Sequence, residues 1–163
     1  MQTLRLTGAV LAAPVLAAAL TTPAWAEPRV LVAETVLTQF PQEVPGTARP
    51  TGGVRHVDVV EESVTRGGGL DLVNTARYQC LQVRDVRLLC RGEVQGVGSI
   101  DGVGTGVLST RAVVRCELPA FTCTGTTQSR GVSGDLADVR GTGTFTSSPV
   151  AGRGTLVFRL VQS

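Results

Sequence analysis

The sequence has no lysine, a single histidine, one methionine and few aromatic residues. All 15 basic side chains are therefore arginine, and against 13 acidic ones they give a net charge of +2. This balance argues against a nucleic-acid-binding protein, and so few aromatic rings provide little surface on which bases or sugars could stack. The preference for arginine over lysine is typical of a GC-rich genome, so we draw no function from it.

The motifs of common hydrolases, nucleotide-binding proteins and metal sites are also absent. There is no Gly-x-Ser-x-Gly elbow, and the glycine runs at 67–69 and 102–106 complete no phosphate-binding pattern, so we interpret them as turns and bulges. No Cys-x-x-Cys pair suggests zinc or redox chemistry. The sequence therefore predicts no cofactor and no metal site.

The longest hydrophobic run is too short for a membrane-spanning helix. Residues 6–20 are nearly all Leu, Ala and Val, but about 15 apolar residues fall short of the ~20 that a bilayer requires. One positive charge precedes the run, and residues 24–26, Ala-Trp-Ala, place small side chains where a signal peptidase reads them. We predict a bacterial-type signal peptide over 1–26 and a secreted domain over 27–163, extracellular or periplasmic, with no membrane anchor after cleavage.

The remaining chain has the length of one domain that can bury a core. Short runs rich in Val, Leu and Thr recur between glycine-rich breaks, without sustained helical periodicity. This pattern predicts an all-β fold, a small antiparallel β-barrel of about eight strands, with a β-sandwich as the alternative. Three prolines within 39–53 predict a long irregular connection. The predicted strands are 29–38, 54–64, 70–83, 86–94, 104–109, 112–118, 121–127, 140–146 and 155–161.

The four cysteines are expected to form two disulfides in an exported domain, and three connectivities are possible. A weak internal repeat favours one of them. Residues 80–109 and 116–146 each contain Cys, a short interval, Cys-x-Gly, a glycine-rich stretch and then Gly-Thr-Gly. Because such repeats are typical of hairpins that share one core, we predict structural bridges Cys80–Cys90 and Cys116–Cys123.

The last two predicted strands carry a resemblance to known families. Residues 136–145, LADVRGTGTF, and 152–158, GRGTLVF, resemble the closing strands of the allene oxide cyclase-like and dirigent-like barrels. The resemblance implies an eight-stranded barrel whose lumen binds a small hydrophobic ligand, in some members guiding a cyclisation or coupling without a cofactor. It transfers none of those families' catalytic positions to this chain. The cysteine spacing is also similar to that of the neocarzinostatin-type apoproteins, β-sandwiches that carry a small molecule.

The only histidine is the first candidate for chemistry. His56 shares a strand face with Asp58, while Val57 and Val59 point the other way. The pair could serve as an acid–base pair inside a barrel, but we favour a polar outer face above buried valines.

Four further polar residues on the predicted strands are weighed in the same way. Glu61 and Glu62 point to opposite faces, and we expect both to be solvated, unlike the opposed carboxylates of a glycosidase. Arg77 and Tyr78 are candidates for ligand binding beside Cys80, although we favour packing of the tyrosine ring on the disulfide.

These residues identify no active site. We predict a secreted barrel that binds a small or apolar molecule without catalysis. The alternatives are a dirigent-like or cyclase-like enzyme that uses the same cavity, and a protein-interaction module such as an inhibitor of secreted proteases. No nucleic-acid partner is expected, and a protein partner is not identified.

Six arginines lie in the middle third of the chain, and they could bind an anionic partner. We favour the ordinary interpretation, a solvated face of charged side chains. The six are Arg77, Arg84, Arg87, Arg91, Arg111 and Arg115.

Overall fold

The computed structural model describes residues 28–118 and 120–162, without the side chain of residue 162. The predicted signal peptide and its cleavage site lie outside these residues. Within the described ranges every regular element is a β-strand. No helix in this part of the chain is long and apolar enough to cross a membrane. The strands are β1 (Arg29–Glu43), β2 (Arg49–Thr51), β3 (Val54–Gly67), β4 (Leu70–Val83), β5 (Arg87–Ile100), β6 (Gly104–Glu117), β7 (Thr122–Gly134), β8 (Val139–Ser148) and β9 (Arg153–Gln162).

The strands form one antiparallel sheet that closes in a ring. Their order is β1-β9-β8-β7-β6-β5-β4-β3, and β3 pairs with β1 to complete the circle. The short β2 pairs with the first residues of β3. The predicted all-β class and closed antiparallel sheet are confirmed, and the strands make a single sheet rather than the two of a sandwich.

The alternation of inward and outward side chains along the strands determines which residues fill the interior of the ring. On β4 the side chains from Leu70 to Cys80 are buried at every second position, and those between them are exposed. Because successive side chains of a strand point to opposite faces, the buried set faces the interior. It forms two apolar clusters at opposite ends of the ring.

The first cluster fills what we call the closed end, where turns connect β3 to β4, β5 to β6 and β7 to β8. Leu136, in the β7–β8 turn, is completely buried there. Its cluster is Leu31, Ala33, Leu70, Leu72, Ile100, Leu108, Leu136, Val139, Phe158 and Leu160.

The second cluster lies at what we call the disulfide end. Cys80 and Cys90 stand directly opposite each other on β4 and β5, with Cα atoms 4.1 Å apart. Cys116 and Cys123 do the same on β6 and β7, with Cα atoms 4.0 Å apart. Both predicted bridges are confirmed, and each joins the two strands of one hairpin.

Several predicted strand boundaries were wrong. Strand β5 continues to Ile100 instead of ending at 94, and β7 continues to Gly134 instead of ending at 127. The region 39–53 is more regular than its prolines suggested, because β1 continues to Glu43 and β2 lies within it. The β1–β3 register shifts twice between Leu37 and Gln42, so Pro41 falls where the ladder is already irregular and the cost of a missing N–H is small. The separate strands predicted at 104–109 and 112–118 are one strand, β6, whose alternation continues through Thr110.

Candidate functional site

The interior between the two clusters is not completely filled. A cavity of about 140 Å³ lies toward the closed end, and one of about 250 Å³ lies toward the disulfide end. Their combined volume lies within the roughly 300–1,000 Å³ of small-molecule sites. The two cavities share five lining residues, Glu61, Tyr78, Phe145, Ser147 and Pro149.

A carboxyl and a phenol meet where the cavities adjoin. The Tyr78 hydroxyl donates a long hydrogen bond, 3.4 Å, to Oε1 of Glu61. Burial raises the pKa of the Glu61 carboxyl, and the tyrosine hydroxyl offsets this only in part. Burial, together with the neighbouring carboxyl, also raises the pKa of Tyr78. Both shifts widen the pH range over which each group is protonated, and a protonated carboxyl or phenol can donate a hydrogen bond.

The expectation that Glu61 is solvated was wrong. Val57, Val59, Glu61, Ser63 and Thr65 alternate with outward residues, so the carboxyl continues the inward face of β3. The signal was present in the sequence, because the period of two that turns the valines inward also turns the glutamate inward. The Glu61 side chain is half-buried. Glu61 was instead assigned to solvent because it was interpreted as one of two carboxylates that close the strand.

Hydroxyl and amide groups form a polar belt toward the closed end. The Asn74 amide donates to Thr65 Oγ1 at 2.9 Å, and the Thr35 and Thr65 hydroxyls are 3.0 Å apart. On the opposite wall the Thr110 and Ser129 hydroxyls are 2.7 Å apart. All five residues line the smaller cavity, so a ligand there would meet polar groups that already have partners.

Thr127 differs from the rest of this belt. Its Oγ1 is buried and makes no hydrogen bond within the described residues, although the side chain also lines the smaller cavity. A buried hydroxyl without a partner is costly. A polar atom of a bound molecule at this point would remove that cost.

The sequence-based candidates lie on both sides of the sheet. His56 is exposed, and Asp58 lies beside it in an open groove on the outer surface that Arg49, Arg91 and Arg115 also line. Arg77 is exposed on the outer face of β4, whereas Tyr78 is buried inside with the disulfides. The structure thus brings Tyr78 to the interior cavities and leaves the other three residues outside.

Glu61→Gln tests the interior carboxyl through the pH dependence of stability. Because the native pKa is raised, the stability that Glu61 contributes is complete below its ordinary pKa of about 4.3 and is lost as pH rises through the native value. The variant stays neutral at every pH. We expect it to gain about 1 kcal/mol of unfolding free energy over the parent at pH 8 and little at pH 4, as measured by urea denaturation.

The matched control is Glu62→Gln, which removes an exposed carboxylate from the outer face of the same strand. We expect this control to show no comparable gain between pH 4 and pH 8. Equal gains in the two variants would mean that the interior carboxyl is as well solvated as its neighbour.

Comparisons with known proteins leave the family open. The chain matches no protein-family model and no curated protein sequence. The likeness of residues 136–158 to the allene oxide cyclase-like and dirigent-like barrels stays a prediction. Function is therefore argued from the interior of the closed sheet.

Proposed function

We propose that this chain is a secreted protein that binds a small, largely apolar molecule inside its closed sheet, without catalysis. The observation that carries the proposal is the Glu61–Tyr78 pair, set between two adjoining cavities whose remaining walls are mainly apolar. An apolar pocket with a few convergent polar groups is the usual form of a small-molecule site. The resemblance of the last strands to ligand-binding barrels points in the same direction.

The two cavities suggest how such a molecule lies. Its apolar body would pack against Phe145 and Leu156, while a hydrogen-bond acceptor such as a carbonyl or ether oxygen would face Glu61 and Tyr78. Donors in a largely apolar setting favour an uncharged acceptor, because most of the wall gives an ionised ligand no compensation for its lost hydration. Arg153 is the one cation among the residues that line the smaller cavity, and it is exposed and within ion-pair distance of Glu34. The ligand class is thus an uncharged oxygen-bearing hydrophobe.

Access to the interior is expected at the disulfide end. Pro41, Glu43, Gln82, Leu118 and Phe121 line the larger cavity and lie at or beside strand ends there. At the opposite end Leu136 is completely buried. A ligand would therefore enter past the disulfides and the β6–β7 turn.

Secretion is part of the proposal, and two cross-strand disulfides are compatible with an oxidising compartment. The protease-inhibitor alternative requires a loop that projects freely. The loops that could supply one, at 39–53 and directly after β6, are tied to the rest of the protein. Leu118 N–H donates to Val86 O at 2.7 Å, and Val44 N–H donates to Asp58 O at 2.8 Å. This attachment favours the cavity over the loops.

Val94→Phe tests the cavity directly. Val94 points inward from β5 and lines the smaller cavity, so a phenyl ring at this position would occupy the ligand's space. With the uncharged fluorophore N-phenyl-1-naphthylamine as the probe, we expect saturable binding to the parent and at least a tenfold weaker affinity in the variant. A tenfold change corresponds to about 1.4 kcal/mol. Fluorescence titration measures both affinities.

Val97→Phe is the control, because this valine lies on the same strand, is 55% exposed and faces outward. It should bind the probe as the parent does, and thermal unfolding should show that both variants are folded. Equal affinity in all three proteins would place the probe outside the cavity and remove support for interior binding.

The Glu61–Tyr78 pair also favours the second candidate, a dirigent-like or cyclase-like enzyme. A neutral acid in an apolar cavity can protonate or polarise an oxygen of a bound molecule. Native mass spectrometry of the parent and of Glu61→Gln, each purified from the culture medium, separates the two functions. One bound mass in both proteins indicates carriage, and different bound masses indicate conversion at the carboxyl.

A further inference from the structure

Four arginines form a continuous row on the outer surface of the ring, one on each of the adjacent strands β6, β7, β8 and β9. Arg130 and Arg140 are directly opposite each other across the β7–β8 pair. Arg111 faces Gln128, two residues from Arg130, and Arg159 faces Thr142, two residues from Arg140. Direct neighbours on a sheet face have Cβ atoms about 5 Å apart and diagonal ones about 7–8 Å apart. We call Arg111, Arg130, Arg140 and Arg159 the arginine row.

The positive charge of this row has no ion-pair partner among the described residues. All four side chains are exposed, and none of them forms an ion pair with a carboxylate in the part of the chain that the structure describes. Glu93 stands opposite Arg111, but the two side chains are not within ion-pair distance. Like charges placed directly opposite, as in Arg130 and Arg140, destabilise a sheet.

We propose that the arginine row binds a flexible linear polyanion whose phosphate groups run across the four strands. A guanidinium can bind a phosphate through two parallel hydrogen bonds. Within β6 to β9, the residues outside the row that stand opposite its members are Ser109, Gln128, Thr142 and Val161. None of them carries a charge, and the four arginine side chains beside them are exposed. This site lies outside the ring and is independent of the interior cavities.

The shape of the surface determines which polyanion fits. Four of the eight strands of a closed ring occupy nearly half of its circumference, so the row follows a convex surface. A flat anionic membrane would reach only part of such a row at once, whereas a flexible chain can follow all of it. Duplex nucleic acid is stiff, so it too would contact only part of the convex row at once.

The test uses long-chain inorganic polyphosphate as the probe, with isothermal titration calorimetry at several salt concentrations. Arg130→Gln combined with Arg140→Gln should weaken binding about tenfold at low salt and reduce the salt dependence of log K by about 1 to 2, the loss of two phosphate contacts. Because the substitutions remove a like-charge pair, the variant should unfold at a temperature no lower than the parent.

Arg49→Gln combined with Arg66→Gln is the control. These exposed arginines lie on β2 and β3, across the ring from β7 and β8, and their removal changes the net charge equally. The control should bind polyphosphate as the parent does. Equal weakening in both double variants, or no binding by the parent at low salt, would overturn the proposal. Parent binding to anionic phosphatidylglycerol vesicles but not to polyphosphate would assign the row to a membrane instead.

Discussion

Leu136→Ala is expected to lower the free energy of unfolding by about 3–4 kcal/mol, since it removes a completely buried leucine from the closed end. Its neighbours cannot collapse into the space. Leu136 comes from a short turn whose backbone is fixed at both ends, where Asp135 N–H donates to Thr105 O and Val139 N–H donates to Leu136 O. A cavity would therefore remain, and the expected loss lies in the middle of the range of about 2–5 kcal/mol for such truncations.

Close backbone contact around this turn supports the same expectation. A side chain at Gly131 would collide with the Leu136 carbonyl oxygen, because a Cβ there would lie 1.5 Å from it. Gly134, at φ +67°, adopts a backbone conformation that other residues rarely accept. These close contacts fix the β7–β8 turn against the end of the ring, and the turn places the Leu136 side chain in the interior.

Urea denaturation measures the loss of stability in Leu136→Ala. Val132→Ala serves as the control, because this valine is 56% exposed near the end of β7, and a surface truncation usually changes stability by less than 0.5 kcal/mol. A loss below about 1.5 kcal/mol in Leu136→Ala would mean that the closed end rearranges around the substitution. Binding of N-phenyl-1-naphthylamine to the variant would then show whether the interior is still enclosed.

Much of the fold follows from side-chain alternation alone. Strand β4 was predicted to the residue, since its buried and exposed positions alternate without interruption between glycines at one end and a turn at the other. The prediction divided strand β6 into two strands. The inward position at its centre is Thr110, a polar residue where the alternation pattern predicts an apolar one. A hydroxyl is satisfied there only because Ser129 lies opposite on β7, and that pairing is not visible in the sequence.

The candidate site shows the same limit. Tyr78 was placed correctly on the face of the disulfide, because it lies two residues from Cys80 on a strand. Glu61 was not recognised as an interior residue, although it shares the parity of Val57 and Val59. Two features stabilise a carboxyl at this position: the cavities leave space around it, and the Tyr78 hydroxyl donates a hydrogen bond to it. The cavities and the hydrogen bond both form only when the ring closes.

The arginine row could not be predicted from the sequence either. Its members are widely separated along the chain and are not the six arginines that the sequence grouped in its middle third, with the exception of Arg111. Only the strand register places Arg130 opposite Arg140 and sets Arg159 diagonally beside them. Charge clusters on a closed sheet therefore depend on register, which composition and local spacing do not determine.

Loss of both disulfides is expected to cost up to about 5 kcal/mol, the largest effect among these predictions. In the chain-entropy model, a bridge that closes a loop of 7 to 10 residues contributes about 2–3 kcal/mol. The total is comparable with the complete stability of a small domain, about 5–15 kcal/mol. The parent protein should resist urea, and a variant with all four cysteines replaced by alanine should be largely unfolded at 37 °C.

The two single-bridge variants show whether the disulfides act independently. Both pairs belong to the same buried cluster, and side chains in contact seldom give additive effects. After the first bridge is lost, the cluster can relax, so the second loss should cost less when measured in that background. Urea denaturation of Cys80→Ala with Cys90→Ala, of Cys116→Ala with Cys123→Ala, and of the fully substituted chain gives this coupling. Strict additivity would mean that the two bridges act independently despite their shared cluster. A total loss below about 2 kcal/mol would mean that the closed hydrogen-bonded ring, and not its cross-links, holds the disulfide end together.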